Sequence, residues 1–122
     1  MLDLDAGRAA ILDLGSEDYY HLADAAVYLP TVPLEERRGV ARAAMRQLLG
    51  EGLVQLFFGD LARNVVTAVP VDEALVVIED PQAWDPEHYY PNSYCFLNTD
   101  AGDAVYYGHA PTNPGPHRPN DR

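Results

Sequence analysis

Several features are scarce in this sequence, and each scarcity excludes a class of protein. The chain of 122 residues has one cysteine, Cys95, so no internal disulfide can form and a reducing compartment is favoured. No apolar run approaches the roughly 18 residues that a membrane-spanning helix needs. The start of the chain, MLDLDAGRAA, carries acids where a secretory signal peptide needs basic residues. We therefore expect a cytoplasmic protein that has no membrane partner.

Basic residues are also scarce. The chain has 8 of them, all arginine, against 19 acids, which gives a formal net charge of -11. Binding to nucleic acid depends on neutralising phosphates with cations, so the overall charge disfavours a nucleic acid as the partner. An acidic surface keeps a protein soluble, but an excess this large on so small a chain favours a basic protein partner.

The length and composition predict one folded domain followed by a tail. A chain of this size can bury a single ordinary core, and a hydrophobic content of 48% excludes wholesale disorder. The last residues, HAPTNPGPHRPNDR, are polar and rich in proline. We predict a single domain over residues 1–108 and a disordered tail over 109–122.

Three helices are predicted in the first half of the chain. Apolar spacing and a glycine stop favour the first over about residues 6–14. Ser16 is a candidate N-cap for the second, and the third has the strongest pattern, over about residues 34–50. The apolar face of the second helix is predicted to hold Tyr19, Leu22, Ala26 and Leu29, and that of the third Val40, Ala41, Ala44, Met45 and Leu48.

The second half is predicted to mix strands with one helix. LVQLFF, residues 53–58, is typical of a strand, and residues 59–70 are ambiguous between loop and strand. VDEALVVIED favours a helix, although its Val-Val-Ile run would also suit a strand, and the proline-rich PQAWDPEHYYP is predicted to be irregular. SYCFLNTDAGDAVYYG has two aromatic runs around a turn, which predicts a β-hairpin with Gly102 at positive φ.

This order of elements resembles the winged-helix plan, in which three helices are followed by a hairpin called the wing. MRQLLGEGLVQLFF resembles the end of the third helix and the next strand, and FLNTDAGDAVYY resembles the wing. The expected fold is therefore α+β and winged-helix-like. It would have three N-terminal helices, a short strand, a further helix and a C-terminal β-hairpin.

The third helix raises DNA binding as one hypothesis. Arg38, Arg42 and Arg46 are four residues apart and would form a stripe along one flank. In a DNA-binding winged helix the third helix enters the major groove while the wing touches the backbone. The predicted wing, however, carries Asp100 and Asp103 and no base. A transcriptional regulator that uses the three arginines is therefore the alternative function.

No pattern predicts an active site, a metal or a cofactor. The four histidines have no metal-ligand spacing, and no nucleotide-binding glycine motif is present. The DPEHYY stretch places Asp85, Glu87 and His88 close together, which is more typical of a solvated turn than of a metal site. Cys95 is predicted to be a buried side chain in a strand, and Trp84 a core or lid residue. We expect a protein that is not an enzyme.

Protein binding is the remaining hypothesis. Tyrosine is abundant, and it is enriched at protein interfaces. Tyr89 and Tyr90 lie between acids and prolines, so they are predicted to be exposed anchors. From residue 70 to residue 108 the chain has acids and no base. These acids complete the predicted contact set: Asp72, Glu73, Glu79, Asp80, Asp85, Glu87, Asp100 and Asp103.

The same segments resemble the small immunity proteins of bacterial polymorphic-toxin systems, including those of contact-dependent growth inhibition. The resemblance lies in LLGEGLVQLFFGD, VDEALVVIEDPQAW and FLNTDAGDAVYYG on a winged-helix-like frame. It implies a cytoplasmic protein that binds one cognate toxin domain, 1:1, and blocks it. Nuclease, deaminase and nucleotide-modifying toxins all stay open, as does an adaptor module with no inhibitory role. The resemblance implies no catalytic residue.

Overall fold

The computed structural model describes residues 4–29, 32–88 and 92–108, apart from the side chain of His88. Within these residues the chain is α+β, with five α-helices and a four-stranded antiparallel sheet. None of these helices combines the length and apolar character that crossing a membrane requires. The predicted tail, 109–122, and the predicted anchors Tyr89 and Tyr90 lie outside the described residues.

Most predicted elements are confirmed, and the ambiguous segment after the first long strand contains a second strand. Short 3₁₀ turns occupy Leu34–Glu36, Leu61–Arg63, Pro81–Trp84 and Pro86–His88, so the described part of the proline-rich segment, residues 81–88, is irregular as predicted. The helices are α1 (Leu4–Gly15), α2 (Leu22–Val27), α3 (Arg37–Gly50), α4 (Val71–Val77) and α5 (Asp100–Tyr107). The strands are β1 (Tyr20–His21), β2 (Val54–Asp60), β3 (Val65–Val69) and β4 (Ser93–Asn98).

The sheet has the order β1-β4-β2-β3, so the last strand is inserted between the first two. Leu56 is opposite Phe96 on one side and Val69 on the other, which places these side chains on one face. That face packs against the helices and belongs to the main core. The opposite face presents Phe57 and Cys95, which are paired in register.

Helix α3 lies at the centre of the helical layer. It contacts α1, α2, α4 and β2, while Arg38, Gly39, Arg46, Gln47 and Gly50 are exposed. The apolar face predicted for it is confirmed, since Val40, Ala41, Ala44, Met45 and Leu48 are all 0% exposed. Burial of this complete face explains why the helical spacing of the sequence was so clear.

The predicted C-terminal hairpin is wrong, because strand β4 is followed by helix α5. Thr99 caps the helix: its Oγ1 accepts the Gly102 N–H at 3.1 Å. Asp100 and Asp103 lie in the first turn, where the helix dipole favours carboxylates. The helix ends at Gly108, which adopts the left-handed conformation (φ 73°).

Glycine is required at position 102 because the backbone at Leu53 comes very close, and not because the chain turns there. Its φ is not positive, contrary to the prediction. A Cβ at this position would overlap the carbonyl oxygen of Leu53, so glycine lets α5 pack directly on the start of β2. One turn further along the helix, the Tyr106 hydroxyl donates a hydrogen bond to Asp13 of α1, and this bond raises the pKa of Tyr106.

The second helix is also shorter than predicted. Ser16 does not cap it, since its hydroxyl donates to the Asp13 carbonyl at 2.7 Å and closes the end of α1. Tyr20 and His21 form β1, and the N-cap of α2 is His21. Pairing with β4 therefore overrides the helical spacing of Tyr19 and Leu22.

Candidate protein-binding surface

A depression of about 150 Å³ opens at the end of the sheet where β4 begins. Phe58 and Tyr94 form its aromatic side, and their ring centroids are 4.6 Å apart at an interplanar angle of 47°. Phe58 is 40% exposed although it belongs to the face that packs on the helices, because the helical layer does not extend over it. The depression is lined by Phe58, Asp80, Gln82, Ala83, Asn92, Ser93 and Tyr94.

Trp84 fixes the opposite wall of the depression. It is 0% exposed, and its Nε1 donates to the Ile78 carbonyl at 2.9 Å. The prediction that Trp84 is a core residue is therefore confirmed. Burial of a large indole next to α4 holds the 3₁₀ turns against the body of the protein, and Asp80 and Gln82 are held with them.

The acidic segment, residues 72–87, contributes Asp80 to this wall. Three of its aspartates accept a backbone N–H one or two residues further on: Asp72 from Glu73, Asp80 from Gln82 and Asp85 from Glu87, each at 3.0 Å. Such bonds fix the direction of a carboxylate, but they leave its charge at the surface. Asp85 is half-buried, and the other acids of the segment, Asp72, Glu73, Glu79, Asp80 and Glu87, are exposed.

The arginines of α3 do not form a free stripe. Arg46 is paired with Glu79 at the end of α4. Arg42 is half-buried, and its Nε has no hydrogen-bond partner among the described residues. Only Arg38 of the three is exposed without a recorded ion pair in the described part of the chain. The pair between Arg46 and Glu79 also places an acid of the predicted contact set beside the predicted DNA-binding helix.

Asp100 and Asp103 lie at a different end of the molecule from the depression. Strand β4 has 6 residues, so its ends are about 17 Å apart, and the depression adjoins its start while α5 follows its end. Asp103 accepts a hydrogen bond from Asn98 Nδ2 at 3.2 Å. The structure therefore places Asp80 at the depression and leaves Asp100 and Asp103 at the far end of β4.

The face of the sheet opposite the helices carries a polar pair that sequence reasoning missed. His21 Nδ1 and Ser93 Oγ are 3.0 Å apart, although they lie 72 positions apart in the chain.

Between β1 and β2, Cys95 is completely buried, and burial raises the pKa of its thiol to about 12. Tyr19 reaches across β4 to Phe57, with ring centroids 5.1 Å apart. Cys95 is therefore a protonated thiol under an aromatic cover.

In the described residues, no group of three or more histidine, cysteine or acidic side chains is arranged to hold a metal ion. The side chain of His88, one member of the DPEHYY cluster, lies outside them. Comparison with protein-family profiles, with curated proteins and with solved structures finds no match to this chain.

Proposed function

We propose that this chain is an immunity protein, which binds a cognate basic toxin domain 1:1 in the cytoplasm and blocks its active site. The observation that supports it most is the acidic segment. Three of its six carboxylates, those of Asp72, Asp80 and Asp85, are held in direction by backbone hydrogen bonds, and Asp80 lines the aromatic depression. No arginine or lysine occurs from residue 64 to residue 108 to neutralise them within the same stretch.

Fixed carboxylates suit the inhibition of a protein that acts on nucleic acid or nucleotides. The active site of such a protein is basic, because it holds phosphates. A surface of preorganised acids competes for the same cations and loses little entropy on binding. Charge complementarity also speeds encounter, toward about 10⁸ M⁻¹s⁻¹ when the charges are well arranged. The proposed mechanism is occlusion of the basic cleft.

We also propose that this fold is related to the winged helix, with the wing formed by a different hairpin from the one predicted. Three helices are followed by an antiparallel hairpin, which is formed by β2 and β3 and not by residues 93–108. Its tip is the 3₁₀ turn Leu61–Arg63, closed by Asn64 in the left-handed conformation. Strand β4 would then be an addition, since it separates β1 from β2.

DNA binding is the weaker hypothesis on this structure. Helix α3 packs against α1, α2 and α4, Arg42 is half-buried, and Arg46 is engaged by Glu79. We expect no mobility shift when genomic fragments are mixed with the protein at low salt. A shift that disappears in Arg38→Ala would favour the regulator over the inhibitor.

The decisive experiment co-expresses this chain with the C-terminal domain encoded by the neighbouring upstream reading frame. We expect the domain to stop growth, the chain to restore it, and the two proteins to elute together at 1:1. The double variant Glu73→Arg with Glu87→Arg tests the surface, because the side chains of both residues are exposed. We expect its association rate at low salt to fall at least about tenfold, since steering depends on charge.

The matched control is Glu17→Arg with Glu35→Arg, which makes the same change in net charge at two exposed positions outside the acidic segment. We expect the control to keep most of the association rate and to restore growth. If both double variants slow association equally, the effect comes from net charge and the acidic segment is not the interface. If the chain neither restores growth nor forms the complex, the immunity proposal is wrong.

A further inference from the structure

We propose that the depression between Phe58, Tyr94 and Asp80 is a site for a single arginine side chain of the partner protein. The identity of the donor rests on the proposed function, whereas the chemistry of the site does not. The volume of about 150 Å³ is well below the roughly 300–1,000 Å³ typical of small-molecule sites. A cavity of this size suits one side chain better than a cofactor or a metabolite.

The aromatic side of the site favours a cation. Phe58 and Tyr94 present tilted rings at an open end of the sheet, and Phe58 is 40% exposed. The face of an aromatic ring attracts a cation within about 6 Å of its centroid, and arginine takes this position more often than lysine. Phe58 is exposed and Tyr94 is half-buried, so part of this ring pair is open to contact with another molecule.

Asp80 supplies the charge on the opposite wall. Its Oδ1 accepts the Gln82 N–H at 3.0 Å, which fixes the plane of the carboxylate. The described residues provide no hydrogen-bond partner for Oδ2, so this oxygen remains able to accept from a guest. The side-chain amides of Gln82 and Asn92, both lining residues, add neutral acceptors. The site therefore combines one anion with rings and amide oxygens.

This combination discriminates in favour of a guanidinium group. Guanidinium is planar and weakly hydrated, so it can stack on a ring and donate in its own plane at the same time. An ammonium group is a strongly hydrated point charge, and it would lose more of its hydration in a site with only one carboxylate. We therefore expect arginine to bind more tightly than lysine, and a neutral isostere to bind least.

NMR titration of the whole chain with small probes tests the site directly. The probes are N-acetyl-arginine N-methylamide, the lysine equivalent and the neutral citrulline equivalent. We expect the arginine probe to shift the resonances of Phe58, Gln82 and Tyr94 in a saturable manner. The lysine probe is expected to bind at least about twofold more weakly, and the citrulline probe to leave these resonances in place.

Three variants test whether arginine binding depends on this site or on the acidic surface as a whole. Asp80→Asn keeps an acceptor for the Gln82 N–H, so the turn is retained while the charge is lost. We expect it to weaken arginine binding about fivefold. Asp72→Asn makes the same chemical change at an aspartate that also accepts a backbone N–H, and it should change the affinity less than about twofold. Phe58→Leu retains apolar bulk and should weaken binding roughly two- to fivefold.

The proposal is overturned if citrulline shifts the same resonances, or if Asp72→Asn and Asp80→Asn weaken binding equally. It is also overturned if the toxin complex forms and Asp80→Asn and Phe58→Leu leave its dissociation rate unchanged. Failure of growth rescue together with selective arginine binding removes only the immunity proposal and supports the site. The two hypotheses can therefore fail separately.

Discussion

Thr99 is expected to decide whether the C-terminal segment is a capped helix, and Thr99→Ala is the variant that tests it. Its Oγ1 accepts the Gly102 N–H at 3.1 Å and donates to the Gly52 carbonyl at 2.7 Å. Its own N–H donates to the Leu53 carbonyl at 3.1 Å. One side chain therefore begins α5 and ties it to the turn that follows α3.

The expected loss of stability is the sum of two hydrogen bonds. Replacing an N-cap threonine by alanine costs about 1 kcal/mol. The bond to the Gly52 carbonyl adds about 0.5–1 kcal/mol, near the lower end of the usual range because the site is exposed. The free energy of unfolding should fall by about 1.5–2 kcal/mol, and the Tm by roughly 6–12 °C.

Urea unfolding measures this loss with two probes. Trp84 is the one tryptophan of the chain and is completely buried, so its emission reports the core, and far-ultraviolet circular dichroism reports the helices. Thr99→Ser is the control, because it retains the hydroxyl, and it should stay within about 0.5 kcal/mol of the parent. A loss below about 0.5 kcal/mol for Thr99→Ala would refute the cap.

Two further predictions concern titratable groups on the face of the sheet opposite the helices. Because burial raises the pKa of Cys95 to about 12, a thiol reagent at about pH 8 should label it only after unfolding, and rapid labelling of the native protein would contradict the burial. Burial lowers the pKa of His21, although Asp24 acts in the opposite direction. The unfolded chain then binds more protons than the folded one, so His21 removes stability as the pH falls through about 6.5. His21→Gln should reduce the loss of stability between about pH 7.5 and 5.5, and an unchanged slope in urea unfolding would refute the assignment.

The sequence predicted most accurately the elements whose apolar pattern matches the face that they bury. Helix α3 buries one complete apolar face, so its spacing alone identified both the element and its core residues. Strand β2 and helix α4 were also predicted, although within α4 only Ala74 is buried and Val71 and Val76 are exposed. In each case the local pattern and the tertiary contacts favour the same structure, which is the condition under which sequence patterns are informative.

The C-terminal error came from two competing patterns in one segment. Aromatic runs around Asp100-Ala101-Gly102-Asp103 are typical of a hairpin. Thr99, the following acids and Gly108 are typical of a helix with both caps. The buried contact between Gly102 and Leu53 favours the helix, but that contact joins residues far apart in the chain and leaves no local pattern. The first strand, of two residues, was missed because only its pairing with β4 defines it.

The site could be predicted only in part. The acidic segment and Trp84 were visible in the sequence, because charge and aromatic composition need no tertiary information. The depression was not, since it requires the end of β2 to meet the start of β4 beside the turn at Asp80. Phe58 gave one available indication, because it is the last large apolar side chain of the LVQLFF run.

The acids of residues 72–87 have a structural role as well as the proposed binding role. The structure shows how the two roles can be tested separately. Asp72, Asp80 and Asp85 organise backbone turns through an oxygen that asparagine would also supply. Stability therefore requires a side-chain acceptor at these positions and not a charge. Binding to a basic partner would require the charge itself. Asparagine at all three positions should consequently leave the fold intact and slow association, whereas a purely structural role would leave association unchanged.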